Sequence, residues 1–499
     1  MKHIIAALCV VCGVFAGCKT DITGGATPNR TPETYTTVDT IIRNGNNRLS
    51  TQIGINWWAT DPDGYVTGYE YSFENPITAA TIWRFTSKTD SVFLINLPLG
   101  ADTADIRFSV RAIDNLGEKD PTPAQLVLPL KNTAPTIAFR YIKAGGNPLA
   151  GGNVLVGFPI LRYNWTATDA DGAANLRGYE LTLNDTARTP VFLGNVYSGA
   201  TLVADNPNAT SSDCSILAGN SNQAQPNKLQ GLNLNDTNVL YIRAIDLSGA
   251  KSAYIAAKKV FVKRLTSNIV LVNAYANGIL AIDQFYNTQL NGIGITNVEK
   301  IQILQKNAQF EFTQLAPDYA TQNRIFGLFK HIIWVSDDMN FSMVYAQGVL
   351  NTFFNNGGNL LMSCRPGGED LSKSPFYEFT PIDSLQQPPA GKLFLLADTS
   401  TIAPLASGYP MLQNEGFLTV PRPIKLLAGC TPLLRANIIL RDGASFTPYT
   451  GNSVVMGIKT NGITGSKIVF SSLQLHKINA NNAIGTLLTK VLRGEFGIM

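Results

Sequence analysis

The chain has 499 residues, of which 45% are hydrophobic, so it is long enough for about three domains with full-sized cores. Only 15% of the residues are charged, and the formal net charge of +4 is spread along the chain without a block of Lys and Arg. This distribution excludes a nucleic-acid-binding protein that depends on a basic patch. No apolar stretch beyond the N-terminus reaches the ~18 residues that a transmembrane helix requires.

The N-terminal residues have the composition of a signal peptide. A short basic start is followed by an apolar run over residues 4–16. This run has the length of a signal-peptide core and is too short to cross a bilayer as a mature helix. It leads into Phe-Ala-Gly-Cys at 15–18, which resembles the lipobox of bacterial lipoproteins. The resemblance implies removal of residues 1–17 and attachment of a lipid to Cys18.

The segment after Cys18 predicts a flexible tether over residues 18–33, because Thr, Gly, Pro and Asn dominate it and no apolar period is present. Such a tether is what a lipid-anchored domain requires. The alternative is an ordinary signal peptide with an incidental cysteine, since Phe15 stands where leucine is usual. We therefore predict a cell-envelope lipoprotein of the outer membrane, on its periplasmic or surface face, that contacts the membrane through its N-terminal lipid.

A repeat of about one hundred residues follows the tether. Each copy has a tryptophan-containing segment that ends in Asp-x-Asp-Gly, then Gly-Tyr-Glu, and later Arg-Ala-Ile-Asp. These landmarks lie at 55–64, 68–70 and 111–114 in the first copy and at 163–172, 178–180 and 243–246 in the second. Short β-rich runs broken by Gly, Pro, Asn and Asp separate them, a pattern typical of an antiparallel sandwich.

The repeat resembles fibronectin type III and related immunoglobulin-like modules of bacterial surface proteins. The resemblance covers residues 34–131 and 134–264, with a joint at 132–135. The tyrosine that usually precedes the Val-Arg-Ala strand is replaced by Ile106 in the first copy and by Asn238 in the second. The broader immunoglobulin-like sandwich is therefore the safer prediction for both copies.

A tryptophan in an early strand is expected to anchor each sandwich core. We align Trp58 with Trp165, because each precedes the threonine and aspartate of its turn. Trp57 is the alternative, one residue out of register. Replacement of the anchoring tryptophan by alanine is expected to cost about 3–5 kcal/mol in its own domain.

The Asp-x-Asp-Gly loops allow two interpretations. Asp61 with Asp63, and Asp169 with Asp171, have the spacing at which two carboxylates share a calcium ion. No glutamate follows at the twelfth position of either loop, so the EF-hand pattern is absent. The second interpretation is a tight turn in which the first aspartate caps its own backbone and the glycine adopts a positive φ. The turn is the better supported of the two, so we predict no resident metal or cofactor.

From residue 268 the apolar pattern changes to alternating strands and helices, which predicts a mainly parallel sheet covered on both faces. The fold class is therefore two all-β sandwiches followed by an α/β three-layer domain over 268–499. The predicted strands are 268–273, 331–337, 359–364 and 467–470, and the predicted helices are 278–290, 341–355 and 480–492.

This C-terminal region resembles the class I glutamine amidotransferase-like superfamily, whose fold is of the flavodoxin type. The markers are an apolar strand that ends in Asp-Asp at 337–338, a helix, the run Phe-x-x-x-Gly-Gly-Asn-Leu-Leu at 353–361, and a final strand and helix. The resemblance is architectural, and many members of this superfamily are not enzymes. It implies a crevice at the carboxyl ends of the strands, near Tyr275, Asp337 and Cys364.

The same resemblance implies a possible Cys–His pair. Cys364 stands where active members carry their nucleophile, and His476 stands where they carry its base. Two departures argue against catalysis: Cys364 lacks the flanking glycines of the usual strained turn, and Ile478 replaces the acid that orients the histidine. We therefore predict no catalytic residue, with a Cys364–His476 hydrolase or amidotransferase as the alternative.

The remaining cysteines of the mature chain are Cys214, Cys364 and Cys430. Three thiols cannot all pair within one molecule, and no Cys-x-x-Cys spacing suggests a metal knuckle. One disulfide among them stays possible, and the spacing does not choose it. The function predicted from the sequence is a non-enzymatic envelope lipoprotein whose sandwiches present a degenerate amidotransferase-like domain to a protein or glycan ligand.

Overall fold

The computed structural model describes residues 28–38, 43–44, 48–49, 51–140, 155–306, 309–312, 318–365, 379–386, 390–397 and 400–499. It is mostly β-structure, with 44% strand and 13% helix, and it divides into two compact units at residues 133 and 134. The predicted signal peptide and Cys18 lie outside the described residues. Within the described part, no helix is both long and apolar enough to cross a membrane.

The first unit is a sandwich of two sheets. Its strands are β1 (Glu33–Val38), β2 (Arg43–Asn44), β3 (Arg48–Leu49), β4 (Gln52–Thr60), β5 (Val66–Ser72), β6 (Arg84–Thr86), β7 (Asp90–Leu94), β8 (Thr103–Asp114) and β9 (Ala124–Lys131). One sheet has the order β1-β4-β7, and the other has the order β2-β3-β9-β8-β5-β6. Neighbouring strands are antiparallel except β3 and β9. This arrangement agrees with the immunoglobulin-like sandwich predicted from the repeat.

The core of this sandwich corrects the predicted tryptophan anchor. Trp57 is 1% exposed and packs with Ile53 and Ile55, whereas Trp58 is 48% exposed. Successive side chains of a strand point to opposite faces, so residues 53, 55 and 57 of β4 share the inner face and residue 58 cannot. Trp57 is therefore the counterpart of Trp165, and the assignment of Trp58 as the anchor is wrong.

The end of the predicted tether is also corrected. Residues 29 and 30 contact the first sandwich: the Asn29 amide donates to Asp114 at 2.5 Å, and the Arg30 backbone N–H donates to Asp63 at 3.1 Å. Glu33 already begins β1. The last residues of the segment 18–33 are thus held against the sandwich by side chains of its loops, a long-range contact that composition does not reveal.

The second sandwich belongs to the second unit. Its strands are β10 (Thr136–Phe139), β11 (Leu155–Gly157), β12 (Ile160–Thr168), β13 (Leu176–Leu183), β14 (Val191–Gly194), β15 (Gly199–Ala204), β16 (Ser211–Ala218), β17 (Leu229–Asn233), β18 (Asp236–Asn238), β19 (Leu240–Asp246), β20 (Ile255–Ala256) and β21 (Val260–Val262). The sheets have the orders β10-β12-β15-β16-β17, β14-β13-β19-β20 and β11-β21-β18. Trp165 on β12 is fully buried at their centre.

The C-terminal region contains five helices and sixteen strands in the described residues. The helices are α1 (Ile279–Gly292), α2 (Tyr319–Phe326), α3 (Met339–Val349), α4 (Asn351–Asn355) and α5 (Ile484–Leu488). The strands are β22 (Ile269–Ala274), β23 (Glu299–Lys306), β24 (Gln309–Phe312), β25 (His331–Ser336), β26 (Asn359–Cys364), β27 (Ile382–Leu385), β28 (Lys392–Leu395), β29 (Thr401–Pro404), β30 (Leu412–Gln413), β31 (Leu418–Thr419), β32 (Ile424–Leu426), β33 (Thr431–Ala436), β34 (Ile439–Asp442), β35 (Ser445–Pro448), β36 (Val454–Thr460) and β37 (Lys467–Ser471).

The main sheet of this region is mixed, which corrects the prediction of a mainly parallel sheet. Its order is β24-β23-β22-β25-β26-β37-β36-β33-β29-β30. The five consecutive strands β23, β22, β25, β26 and β37 are parallel to one another. β24 pairs antiparallel with β23, and β36, β33, β29 and β30 each pair antiparallel with the strand before them in the sheet. Residues 401–460 supply most of the antiparallel part, as the strands β29, β30, β33 and β36.

The parallel strands are buried on both faces because their neighbouring residues enter different cores. Leu271 packs with Tyr286 of α1, while Val270 and Val272 pack with Phe326 of α2. The predicted helix 341–355 begins instead at Met339 and is divided into α3 and α4. The closing helix is α5, which continues as a π-helix over Thr489–Glu495.

The second sandwich and the C-terminal region share one hydrophobic core. Phe158 lies edge-on to Phe329, with ring centroids 5.5 Å apart, and both are buried. At the junction, Lys263 donates to the buried carboxylate of Glu299 at 2.6 Å. Residues 134–499 are therefore one packed unit, without a free linker at 265–267.

Candidate functional site

Cys364 is a buried strand-end thiol. It is the last residue of β26, is 0% exposed, and packs with Met362 and Met343 on the side of the sheet covered by α2 and α3. Burial raises the pKa of the Cys364 thiol well above its usual value, and the carboxylates of Asp338 and Asp337 raise it further. These surroundings disfavour the thiolate that a nucleophilic cysteine needs.

His476 lies in the short helical turn Leu475–Lys477, after β37. Its Nδ1 is 3.4 Å from the Tyr275 hydroxyl, and its ring is edge-on to those of Tyr275 and Phe285. Burial lowers the pKa of His476 to about 4, and the neighbouring Lys477 adds to this effect. The imidazole is therefore neutral at physiological pH.

The structure brings Tyr275 and His476 together, and Cys364 lies near enough to Tyr275 to raise the pKa of its hydroxyl, although burial is the larger cause. Tyr275 and Phe285 belong to the core on the α1 side of the sheet, whereas Cys364 belongs to the core on the other side. No hydrogen bond among the described residues joins Cys364 to His476. Ile478, two residues after His476, is itself buried in the α1-side core.

The crevice at the strand ends is partly filled by the chain's own carboxylate. The backbone N–H of Ala276, in the loop before α1, donates to both oxygens of Asp337, at 3.2 and 3.1 Å. A phosphate cradle in an α/β fold would use backbone N–H groups of this loop. Asp337 already occupies one of them, so this position is a poor anion site.

The two Asp-x-Asp-Gly loops carry the hydrogen bonds of self-capped turns. Asp61 accepts from the backbone N–H groups of Asp63 and Gly64, at 3.3 and 3.2 Å. Asp169 accepts from the N–H of Asp171 at 2.8 Å. In the part of the chain that the structure describes, no group of three or more His, Cys, Asp or Glu side chains is arranged to hold a metal ion.

Each sandwich also contains an ion cluster that the sequence analysis missed. Glu180 accepts from Arg243 at 2.6 Å and from Lys251 at 3.0 Å. In the first copy, Glu70 accepts in the same way from Arg111 and Lys119, at 2.7 and 2.8 Å. The glutamate of Gly-Tyr-Glu, the arginine of Arg-Ala-Ile-Asp and a lysine five residues after that aspartate recur in both copies, a signal sufficient to have found the cluster.

The second sandwich has a cavity of about 250 Å³ beside its Asp-x-Asp-Gly loop. Its wall includes Trp165, Asp169, Tyr179 and Ser198. Burial, with a smaller effect of the carboxylates of Asp171 and Asp246, raises the pKa of Asp169 to about 6. This cavity, which the sequence analysis did not predict, combines aromatic rings, a carboxyl group and hydroxyls.

The cysteines are separate thiols. Cys214, Cys364 and Cys430 are all free, and Cys214 and Cys364 are buried. The disulfide that the sequence left open is therefore not formed in this structure. Burial raises the pKa of Cys430 as well, although this thiol is only half-buried.

No protein-family model and no curated protein sequence matches the chain. Among solved structures, the fibronectin(III)-like modules of Clostridium thermocellum CbhA are 14% identical, with 46% of this chain and 94% of theirs covered and a TM-score of 0.16. Domains 4 and 5 of the S-layer protein SbsC are 12% identical, with 46% and 98% covered and a TM-score of 0.18. The central fibronectin-III array of RIM-binding protein is 13% identical, with 48% and 71% covered and a TM-score of 0.15. At these scores the likenesses carry no argument, and the sandwich fold rests on the strand pairing described above.

Proposed function

We propose that this chain is a non-enzymatic lipoprotein of the bacterial cell envelope and that it binds a protein or glycan ligand. In this proposal a lipid on Cys18 anchors it to the outer membrane. The lipobox-like run at 15–18 supports the anchor. The two sandwiches present the C-terminal domain to its ligand. That domain is a degenerate relative of the amidotransferase-like α/β proteins.

The strand order supports the assignment of the C-terminal domain. Its parallel strands run β23-β22-β25-β26-β37 across the sheet. Numbered along the chain, these strands have the order 2-1-3-4-5, which is the flavodoxin-type order. Helix α1 covers one face and α2 with α3 covers the other. The antiparallel strands beyond β37 extend this three-layer arrangement.

The burial of Cys364 is the observation on which the non-enzymatic proposal chiefly depends. A nucleophilic cysteine must expose its sulfur to substrate beside a base. The Cys364 thiol is 0% exposed, and burial raises its pKa well above the usual value, so the thiolate that would attack a substrate is disfavoured. Without an exposed thiolate, the expected rate enhancement is lost.

Alkylation of the full chain in detergent tests this proposal. We expect iodoacetamide at neutral pH to modify the half-buried Cys430 while Cys364 stays unmodified, with peptide mass spectrometry as the measurement. Unfolding in denaturant serves as the control, because every thiol should then react. The proposal fails, and the Cys364–His476 hydrolase or amidotransferase replaces it, if Cys364 is alkylated rapidly and stoichiometrically and His476→Ala abolishes this reaction.

A further inference from the structure

Arg422, which stands two residues before β32, carries a buried positive charge without a partner. The residue is 6% exposed, and its Nε is buried and has no hydrogen-bond acceptor. Burial lowers the pKa of Arg422, and no carboxylate among the described residues opposes this effect. A buried charge is normally paired and hydrogen-bonded, because removing it from water alone is costly.

The terminal nitrogens of this guanidinium remain accessible. Of its three nitrogens, only Nε is both buried and without an acceptor. No acceptor among the described residues bonds to Nη1 or Nη2 of Arg422 either, so these two nitrogens keep contact with solvent. The outer edge of a guanidinium carries two parallel N–H donors, which match the two oxygens of a carboxylate. The accessible end of Arg422 is therefore the end that binds anions best.

The chain treats its other buried arginine differently. Arg162 on β12 donates to Asn164 at 3.1 Å and to the carbonyl of Gly219, and its guanidinium lies 4.0 Å from the carboxylate of Asp318. Burial lowers the pKa of Arg162 as well, but Asp318 opposes this effect. The fold thus supplies acceptors and a carboxylate to one buried guanidinium and leaves Arg422 without either.

Arg422 lies at the carboxyl-end edge of the main sheet. The carbonyl of Ile424, two residues later, accepts from the side-chain amide of Asn452 at 2.9 Å. Asn452 immediately precedes the start of β36, which is antiparallel to β37, so the start of β36 lies where β37 ends. The Ser472 N–H, directly after β37, donates to the carbonyl of Val455 near the start of β36 at 2.9 Å. These bonds connect the segment before β32 to the carboxyl end of a parallel strand.

The direction of β32 places Arg422 outside this edge. Leu426, at the far end of β32, packs over Gly457 in the middle of β36, where its Cδ2 would lie 2.6 Å from an added Cβ. From Leu426 back to Ile424 the segment therefore moves toward the start of β36, and Arg422 lies further along the same path. In α/β folds, ligands bind outside the carboxyl ends of the parallel strands. Arg422 accordingly stands where a ligand of this domain would be recognised.

We infer that Arg422 binds a carboxylate group of a small molecule at this edge of the sheet. The neighbouring Lys425 is already paired with Asp383 at 2.9 Å, so the site offers one uncompensated positive charge. A monoanionic carboxylate neutralises that charge, whereas a phosphate dianion leaves an excess of negative charge beside buried residues. The carboxylate belongs to a small organic acid or to a uronic acid, and the test distinguishes these two sources.

The inference rests on the proposed function, because it gives the chemistry of one ligand group that the C-terminal domain recognises. Its test is separate from the alkylation of Cys364. A failure of carboxylate binding leaves the non-enzymatic proposal intact, and a reactive Cys364 leaves the assignment of Arg422 intact.

Saturation-transfer difference NMR on the full chain in a non-ionic detergent is the test. Benzoate is the probe for a small acid, and methyl glucuronide is the probe for a uronic acid. Benzamide and methyl glucoside are their uncharged counterparts, and phenyl phosphate, at slightly alkaline pH, is the dianionic counterpart of benzoate.

Arg422→Met removes the charge and keeps much of the length of the side chain. Arg422→Lys keeps a charge but loses the two parallel donors. Arg435→Met is the matched control, because Arg435 is an exposed arginine on β33 in the same domain. Denaturant unfolding of each variant without added acid gives a second measurement. Removal of an unpaired buried charge should leave stability unchanged or raise it, whereas removal of a structural arginine should lower it.

At least one carboxylate should bind, and its uncharged counterpart should not. Its affinity should be at least about tenfold weaker in Arg422→Met, as the loss of a charge-assisted hydrogen bond predicts, intermediate in Arg422→Lys and unchanged in Arg435→Met. The inference is overturned if neither carboxylate binds, if binding survives Arg422→Met, or if phenyl phosphate binds more tightly than benzoate. It is also overturned if Arg422→Met is less stable than the wild-type chain.

Discussion

The ring of Trp57 lies edge-on to the ring of Tyr69, with centroids 6.4 Å apart, and Trp165 and Tyr179 repeat this arrangement at 5.3 Å in the second sandwich. Edge-on aromatic pairs add about 0.5–1.5 kcal/mol to the burial of the rings themselves. The pairs therefore define equivalent core positions in the two copies.

Trp57→Ala should destabilise the first sandwich by about 3–5 kcal/mol, because it removes a fully buried indole and leaves a cavity. Trp58→Ala is the matched control on the neighbouring residue. Trp58 is 48% exposed and stacks on Tyr35 at the surface, so its replacement should cost about 1 kcal/mol or less. Denaturant unfolding followed by fluorescence measures both, and equal losses would contradict the register described for β4.

Gly178→Ala should destabilise the second sandwich by about 1–3 kcal/mol. A Cβ at this position would lie 2.3 Å from the Leu193 carbonyl oxygen and 2.7 Å from the Phe192 ring, so the backbone of β14 would have to move. Gly68 meets the Phe85 ring in the same way. The control is Gly194→Ala on β14, where nothing lies within 4 Å of the added Cβ. Thermal unfolding should separate the two variants, and identical transition temperatures would refute the close packing over Gly178.

Asp169 should make stability depend on pH. Burial, with Asp171 and Asp246 nearby, raises its pKa from 3.8 to about 6, so the folded state favours the protonated form. The charged form therefore costs stability above the folded pKa, and this cost is absent below the unfolded pKa. The contribution of Asp169 to the free energy of unfolding should fall as pH rises from about 4 to about 6.

Unfolding measured across this pH range checks the effect of Asp169. Asp169→Asn should remove this part of the pH dependence, while Asp61→Asn in the first copy should leave it in place. A wild-type chain and an Asp169→Asn variant with the same pH profile would show that the carboxyl is not perturbed by its neighbours.

Cys18→Ala should release the protein from membranes or leave an uncleaved precursor, because Cys18 is the proposed site of lipid attachment. Fractionation of cells followed by immunoblotting and N-terminal mass analysis measures this. Cys430→Ala is the control cysteine variant, which should stay in the membrane fraction. A processed Cys18→Ala protein that still sediments with membranes would refute the lipoprotein proposal.

Local pattern was sufficient to predict much of the parallel part of the fold. The apolar run at 359–364 predicted β26 with the bounds that the structure has, and the runs near 269–274 and 331–336 were predicted within one residue at each end. Such strands are buried on both faces, so nearly every residue in them is apolar and the signal is strong. The short antiparallel strands from 401 to 460 were not predicted, because they are held mainly by pairing with partners distant in the chain.

The candidate site was less accessible to sequence reasoning. Cys364 and His476 were identified by position, but the sequence did not show which side chains pack around them, and strand parity decides which face of the sheet Cys364 belongs to. Glu180 and Arg243 are 63 residues apart, and only the pairing of β13 with β19 brings them to 2.6 Å.

The sequence by itself determined the elements whose causes are local: the apolar strands, the turns capped by Asp61 and Asp169, and the two copies of the repeat. The tertiary structure alone decided that Trp57 and not Trp58 enters the core, and that the Trp165 indole N–H lacks the carbonyl that its counterpart has. The physical reason is that the burial of a side chain and the hydrogen bonds it makes depend on strands far away in the chain. The spacing of apolar residues and the residues of a tight turn are instead set by positions close together in the sequence.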